Sequence, residues 1–229
     1  MAPQSQPAHL DSPPSAPLWL RIGFWICTVI AVAVVIRRVL TLAFPNPNPP
    51  PQLGSLDTAF ASHAALTLAH ILPALAFVVV APFVVFRRLD RRAWAERILY
   101  PLGVVVGLTA YAMSTYAVGG WIERSAVFFF DTLFLFSLFR AYSYRNREDS
   151  SLNRRWLLRS IAILLGIATT RPVMGVFFAT ARLTHLTFHQ FFGIAFWIGF
   201  SINTLIFELW LRSRDRQMHV PHSVAPSRA

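Results

Sequence analysis

Few side chains of this sequence could do chemistry, and nearly all of them lie inside or beside apolar runs. His63 and His70 are seven residues apart, two helical turns, so they share a face. His185 and His189, four apart, share one if their turn is helical. Histidines from two helices are how a bundle holds haem iron or another metal. His63 and His189 match in depth, whereas His70 lies about 10 Å deeper with no histidine facing it. That argues against two haems and leaves one outer haem b, or a copper or zinc site on His63, His185 and His189. The competing reading makes these histidines interfacial or core polar groups.

The ionic groups raise a second question. Arg159 and Arg171 lie in one apolar segment, 156–181, and Glu208 near the end of the next, 188–211. Each costs at least ~2.5 kcal/mol at a bilayer centre on the mildest insertion scale, so each must face protein, water or headgroups. Arg171 stands roughly 22 Å from the start of its segment. Asp131 stands roughly 8 Å from the opposite end of the preceding segment, 126–144, and so close to the same level. The sequence predicts that Asp131 and Arg171 pair inside the bundle, the alternative being that both point separately into a polar cavity. Arg159 and Glu208, each about one turn inside the other face, are a second candidate pair, though groups that shallow can snorkel unaided. Tyr111 and Tyr116 reach the level of His70, Asp131 and Arg171, which outlines a polar site able to hold a small anionic or quinone-like ligand. Arginine suits one because its fixed fork grips carbonyl or carboxylate oxygens.

The elements that must carry these groups are membrane helices. The chain of 229 residues is 55% hydrophobic, with a mean hydropathy of +0.50, too apolar for an ordinary soluble domain. About 20 apolar residues cross the roughly 30 Å hydrocarbon core, and the runs predict an all-α, six-span transmembrane bundle over 18–44, 60–86, 98–118, 126–144, 156–181 and 188–211. Residues 1–17 and 213–229 read as disordered tails. Five prolines within Pro45 to Pro51 predict an extended linker, with helix resuming near Asp57 and a kink at Pro73. Gly103 and Gly107, four apart, predict a close helix contact.

Charge sets orientation. The net charge of +11 is carried by arginine alone, in clusters between apolar runs. That distribution points to the lipid bilayer as the partner and away from nucleic acid. Fifteen arginines fall on one side of the six spans and four on the other, which predicts that both termini are cytoplasmic. Cys27 is the single cysteine and can form no intrachain disulfide. The sequence holds no nucleophile elbow, zinc-protease pair, phosphate loop or CxxC, and no residue stands out as catalytic. A structural or assembly role, with charges that only orient helices, is the third reading.

One stretch resembles a known family. The run Asn153-Arg154-Arg155-Trp156-Leu157-Leu158-Arg159-Ser160, then Arg171-Pro172, Phe196-Trp197, Asn203 and Glu208-Leu209-Trp210, resembles the bacterial membrane family called domain of unknown function 2306. His70, the Pro82 region and Arg87-Arg88 extend the likeness to roughly residues 57–212. The resemblance implies a multi-helix inner-membrane protein of unassigned activity. The family pattern places histidines before the third and fifth spans; here those positions read Trp94-Ala95-Glu96-Arg97 and Asn153-Arg154-Arg155-Trp156. Retention of Arg159, Arg171, Asn203 and Glu208 favours a structural or polar-cavity role over a metal centre.

Overall fold

A computed structural model describes residues 17–45, 51–86 and 89–218, and among them the only regular structure is helical. The helices are α1 (Leu18–Ala43), α2 (Pro51–Ala61), α3 (Ala64–Val85), α4 (Leu89–Ser114), α5 (Gly120–Asn146), α6 (Ser150–Leu164), α7 (Gly166–Thr184) and α8 (Phe188–Met218). Among the described residues five segments are long and apolar enough to cross a membrane: Leu18–Ala43, Ala64–Val85, Trp94–Ser114, Ser150–Thr180 and Phe188–Arg214. Their outward surface is apolar, with Trp19, Trp25, Val29, Leu108, Leu205 and Leu209 all exposed. A protein in water does not leave so much apolar area uncovered.

The helix α5, which carries Glu123, Arg124, Asp131, Arg140 and Arg145, is not among those five. It nevertheless sorts its residues as a spanning helix does. Its buried face holds Glu123, Ala126, Phe130, Asp131, Phe134, Ser137, Leu138 and Ala141, at spacings of three and four. Its exposed face holds Phe128, Phe129, Phe136 and Phe139. Glu123, Asp131 and Ser137 turn inward while four phenylalanines face outward, the arrangement that lipid favours.

Several boundaries differ from those expected. Pro51 opens α2 instead of ending a linker, as proline can in the first helical turn, where its missing N–H is not needed. The expected 60–86 span is divided at Ser62 and His63. There Ser62 Oγ donates to the Ala59 carbonyl at 2.8 Å and Thr67 Oγ1 to the Phe60 carbonyl at 3.1 Å, closing the end of α2. Pro73 and Pro82 both lie inside α3. The helix α8 runs on to Met218, past the expected start of the C-terminal tail. The expected N-terminal tail up to residue 16 and the arginines Arg87 and Arg88 lie outside the described residues.

The expected 156–181 span is likewise two helices, broken at Leu165. Asn203 Nδ2 donates to the Ala162 carbonyl at 3.4 Å, the acceptor that Gly166 would use in an unbroken helix. The Ala168 N–H bonds the Leu165 carbonyl at 3.0 Å instead, a tighter i to i+3 closure. Asn203 also accepts from Thr169 Oγ1 at 2.7 Å, and Thr169 meets Cys27 Sγ at 3.8 Å, so α1, α7 and α8 are tied at the break. At the start of α6, Asp149 accepts from the Leu152 N–H at 3.0 Å and from Ser151 Oγ at 2.9 Å. The Leu152 bond first, then that of Ser151, holds its carboxyl below the ordinary range.

Packing brings α5 against α4, α6 and α8, while α7 leans on α8 and α1. The core runs through Phe77, Leu99 and Leu157, none of which reaches the surface. Gly103 and Gly107 do make the close contact their spacing suggests. A Cβ at either would fall 2.6 and 2.5 Å from Leu138 and Leu135 of α5, respectively.

Candidate functional site

A cavity of about 240 Å³ lies in the half of the bundle that holds the C-terminal end of α1 and the N-terminal ends of α3 and α5. Its walls are mainly apolar, with Phe130 and Phe134 on α5 and Phe192, Phe196 and Phe200 on α8. The polar lining groups are Arg38, His63, Thr67, His70, Ser114, Tyr116, Glu123, Asp131 and Arg171. Thr67 and Ser114 spend their hydroxyl protons on the carbonyls of Phe60 and Tyr111. What remains for a guest is ionic, imidazole or the Tyr116 phenol.

Arg171 comes from α7, one residue before Pro172. Its Nη1 touches Met174 Sδ at 3.8 Å, and its Nε is buried without a partner. Asp131, 9% exposed on α5, has an Oδ2 that is also buried and unpartnered. No salt bridge joins the two, so the expected direct pair is corrected: each faces the cavity separately. The reason is lateral. The helices α5 and α7 follow one another around the break, but α7 packs on α8 and α1, and the cavity lies between it and α5.

Arg159 and Glu208 do meet, Nε to Oε2 at 3.0 Å, with Arg212 adding a second bond to Glu208 at 3.3 Å. Both side chains of the first pair retain partial exposure, so the pair contributes on the order of 0–1 kcal/mol.

The histidines separate. The Thr109 hydroxyl donates to the Val105 carbonyl at 2.6 Å, so the 3.0 Å contact with His70 is made by His70 Nδ1–H, assigned from this network. The neutral ring then keeps the Nε2 lone pair. His63 lines the cavity and stacks on Tyr116, ring centroids 3.6 Å apart. His189 donates from Nδ1 to the Val118 carbonyl, and His185 is exposed at a left-handed turn with φ 51°. Neither His185 nor His189 lines the cavity. Among the described residues no group of three His, Cys, Asp or Glu side chains is placed to hold a metal, so the site expected on His63, His185 and His189 is not assembled. Tyr111 is outside the lining too; its hydroxyl meets Thr132 Oγ1 at 2.7 Å on the α4–α5 seam.

Two features of the site were not foreseen from the sequence. Glu123 Oε2 accepts from the Gly119 N–H at 2.6 Å, tying the first turn of α5 at the cavity rim. Asp57 on α2 binds both arginines of α1, Arg38 Nη1 at 2.6 Å and Arg37 Nη2 at 3.1 Å. Arg38 lies over the Phe60 ring at 4.1 Å, and Leu56, Ala59 and Phe60 close the cavity beside it. A signal for this was present: Asp57 is the sole acidic residue between Asp11 and Asp90.

A chain whose described residues form only helices, five membrane-length apolar segments among them, with an apolar exterior and ionic groups turned inward, is a multi-pass membrane protein. It belongs to the family described as "Predicted membrane protein (DUF2306)", whose model matches residues 62–211. No curated protein and no solved structure matches it.

Proposed function

We propose that this protein is a six-span bacterial inner-membrane protein, both termini cytoplasmic, that binds a small quinone-like or anionic ligand in the cavity. The observation that carries the reading is Arg171: a guanidinium inside the bundle whose Nε has no partner, facing an apolar cavity. An ionic side chain at that depth is costly unless something compensates it, and the carboxylates nearby do not bond it. The carbonyl or carboxylate oxygens of a guest would fill the fork, with the phenylalanines enclosing its apolar part.

Titrating the protein in nanodiscs with a decyl-substituted benzoquinone, and in parallel with decanoate, tests this. At least one probe is expected to bind saturably, and Arg171→Gln to weaken it roughly tenfold or more, the effect of losing a charged hydrogen bond. Non-saturable partitioning of both probes, unchanged by the substitution, would sink the proposal.

The topology rests on the arginine asymmetry and on the sorted faces of α5. A periplasm-dependent reporter such as alkaline phosphatase, fused after Arg216, should be inactive and the same reporter after Thr115 active. The reverse pattern would refute the orientation.

A further inference from the structure

The proposed binding function leaves open what the guest's head must offer, and the hydrogen-bond inventory of the cavity restricts it. Arg171 supplies donors. Arg38 also lines the space, but its guanidinium is committed to Asp57 and stacked on Phe60. Glu123 is committed to the Gly119 N–H through Oε2. Glu123 keeps its Oε1, and His63 and Tyr116, stacked on one another, also line the space. Two further acceptors are Asp131, nine-tenths buried with Oδ2 unpartnered, and His70, whose Nδ1–H is used on Thr109 and whose Nε2 keeps its lone pair. A guest that carried only acceptors would satisfy Arg171 and leave both of these desolvated and unpaired, a net loss for each.

We infer that the cavity selects a head group bearing a hydroxyl as well as an oxygen acceptor, and therefore takes the quinol form of a quinone-like ligand in preference to the quinone. This rests on the binding function proposed above. A quinone ring presents carbonyl oxygens, which accept from Arg171 and can give nothing to Asp131 or His70. A quinol presents hydroxyls, each able to accept from Arg171 at one end of the ring and donate to Asp131 at the other. The discrimination belongs to the ionised carboxylate, which can only accept; a protonated Asp131 would give its own O–H to a quinone carbonyl. Sites built to bond a hydroxyl reject the analogue that lacks it, because the site's own polar group is then stranded. Asp131 is here a specificity-determining residue; no electron transfer is implied.

The test is anaerobic titration of the nanodisc-embedded protein with decyl-benzoquinone and with its chemically reduced quinol, in the unaltered protein and in Asp131→Leu. The unaltered protein is expected to bind the quinol roughly tenfold or more tightly. Asp131→Leu should lose that preference while binding the quinone within about threefold of the original, since leucine leaves no polar group stranded. Should Asp131→Leu not fold, Asp131→Asn keeps the shape and an uncharged acceptor, and should reduce the preference to roughly threefold. Equal affinity for the two forms in the unaltered protein, or a preference for the quinone, overturns the inference and leaves the binding function standing. If Arg171→Gln weakens both forms and Asp131→Leu only the quinol, the two roles are separated as stated. Saturable binding of none of the three probes, the quinone, the quinol and decanoate, overturns the binding function and this inference together.

Discussion

Replacing Asp57 by alanine is expected to lower the thermal midpoint of the protein in detergent by roughly 5–10 °C and to open the cavity. Asp57 is the shared counterion of Arg37 and Arg38, and both of its oxygens are used. The Arg38 side chain is only 12% exposed, that of Arg37 is 42% and that of Asp57 20%. Breaking a fully buried pair by removing one partner costs about 3–5 kcal/mol. The exposure of Arg37 lowers that, since its half of the interaction is screened, and roughly 2–3 kcal/mol is the reasonable figure. Two adjacent guanidinium groups would be left without the charge that holds them, one of them inside the protein. The mechanical result follows from the placement of α2. Leu56, Ala59 and Phe60 form part of the cavity wall, and the ion pairs with Asp57 tie α2 to α1. A cysteine at Leu56, 3% exposed, should therefore react with a maleimide slowly in a Cys27→Ser background and much faster when Asp57→Ala is added. A shift of less than about 1 °C with unchanged labelling would show that α2 does not depend on Asp57.

How far the sequence carried this picture depends on which coordinate was needed. Helix positions along the membrane normal follow from a fixed rise per residue, so run lengths placed α1 and the start of α8, and matched depths brought Arg159 opposite Glu208. Depth says nothing about azimuth. Asp131 and Arg171 have compatible levels, yet the break at Leu165 turns α7 toward α1 and α8 and leaves a cavity where a contact was expected. That break is set by Asn203, 38 residues further along the chain than Leu165, and no local propensity at Leu165 announces it. His185 and His189 do not share a helical face for a similar reason. A spacing of four puts His185 and His189 on one face only if both are helical, and α8 begins at Phe188, with His185 in a left-handed turn before it. Within the cavity, His70, Asp131 and Arg171 were legible because polar groups inside apolar runs must be sheltered. Arg38 and Glu123 were not, since each sits near the end of its helix, where snorkelling to water is an adequate explanation.

A second large loss of stability is expected from Gly193→Leu. Here α8 crosses the first turn of α5 backbone to backbone. A Cβ at Gly193 would fall 2.7 Å from the Glu123 nitrogen and 2.8 Å from Ile122 Cβ, and one at Gly119 would fall 2.7 Å from the Gly193 nitrogen. Main-chain atoms on both sides cannot swing away as the end of a side chain can, so any side chain at Gly193 must push α8 off α5. Forced backbone shifts of this kind cost about 1–3 kcal/mol for small additions and more for large ones. Against this stands the gain of roughly 0.5–1 kcal/mol that any residue other than glycine brings to a helix interior, which is too small to reverse the sign. Gly193→Leu should therefore lower the midpoint by more than about 6 °C, with Gly193→Ala intermediate. Because Glu123, Phe192 and Phe196 line the cavity on the two helices being separated, binding of the benzoquinone probe should fall with it. Gly175 supplies the control: it lies in α7, and a Cβ there meets nothing within 4 Å. Gly175→Ala should keep or raise the midpoint, because the helix gains and no neighbour is displaced. If both alanine variants shift stability in the same direction by the same amount, the α5–α8 approach is looser than its geometry states, and the loss at Gly193 must come from elsewhere.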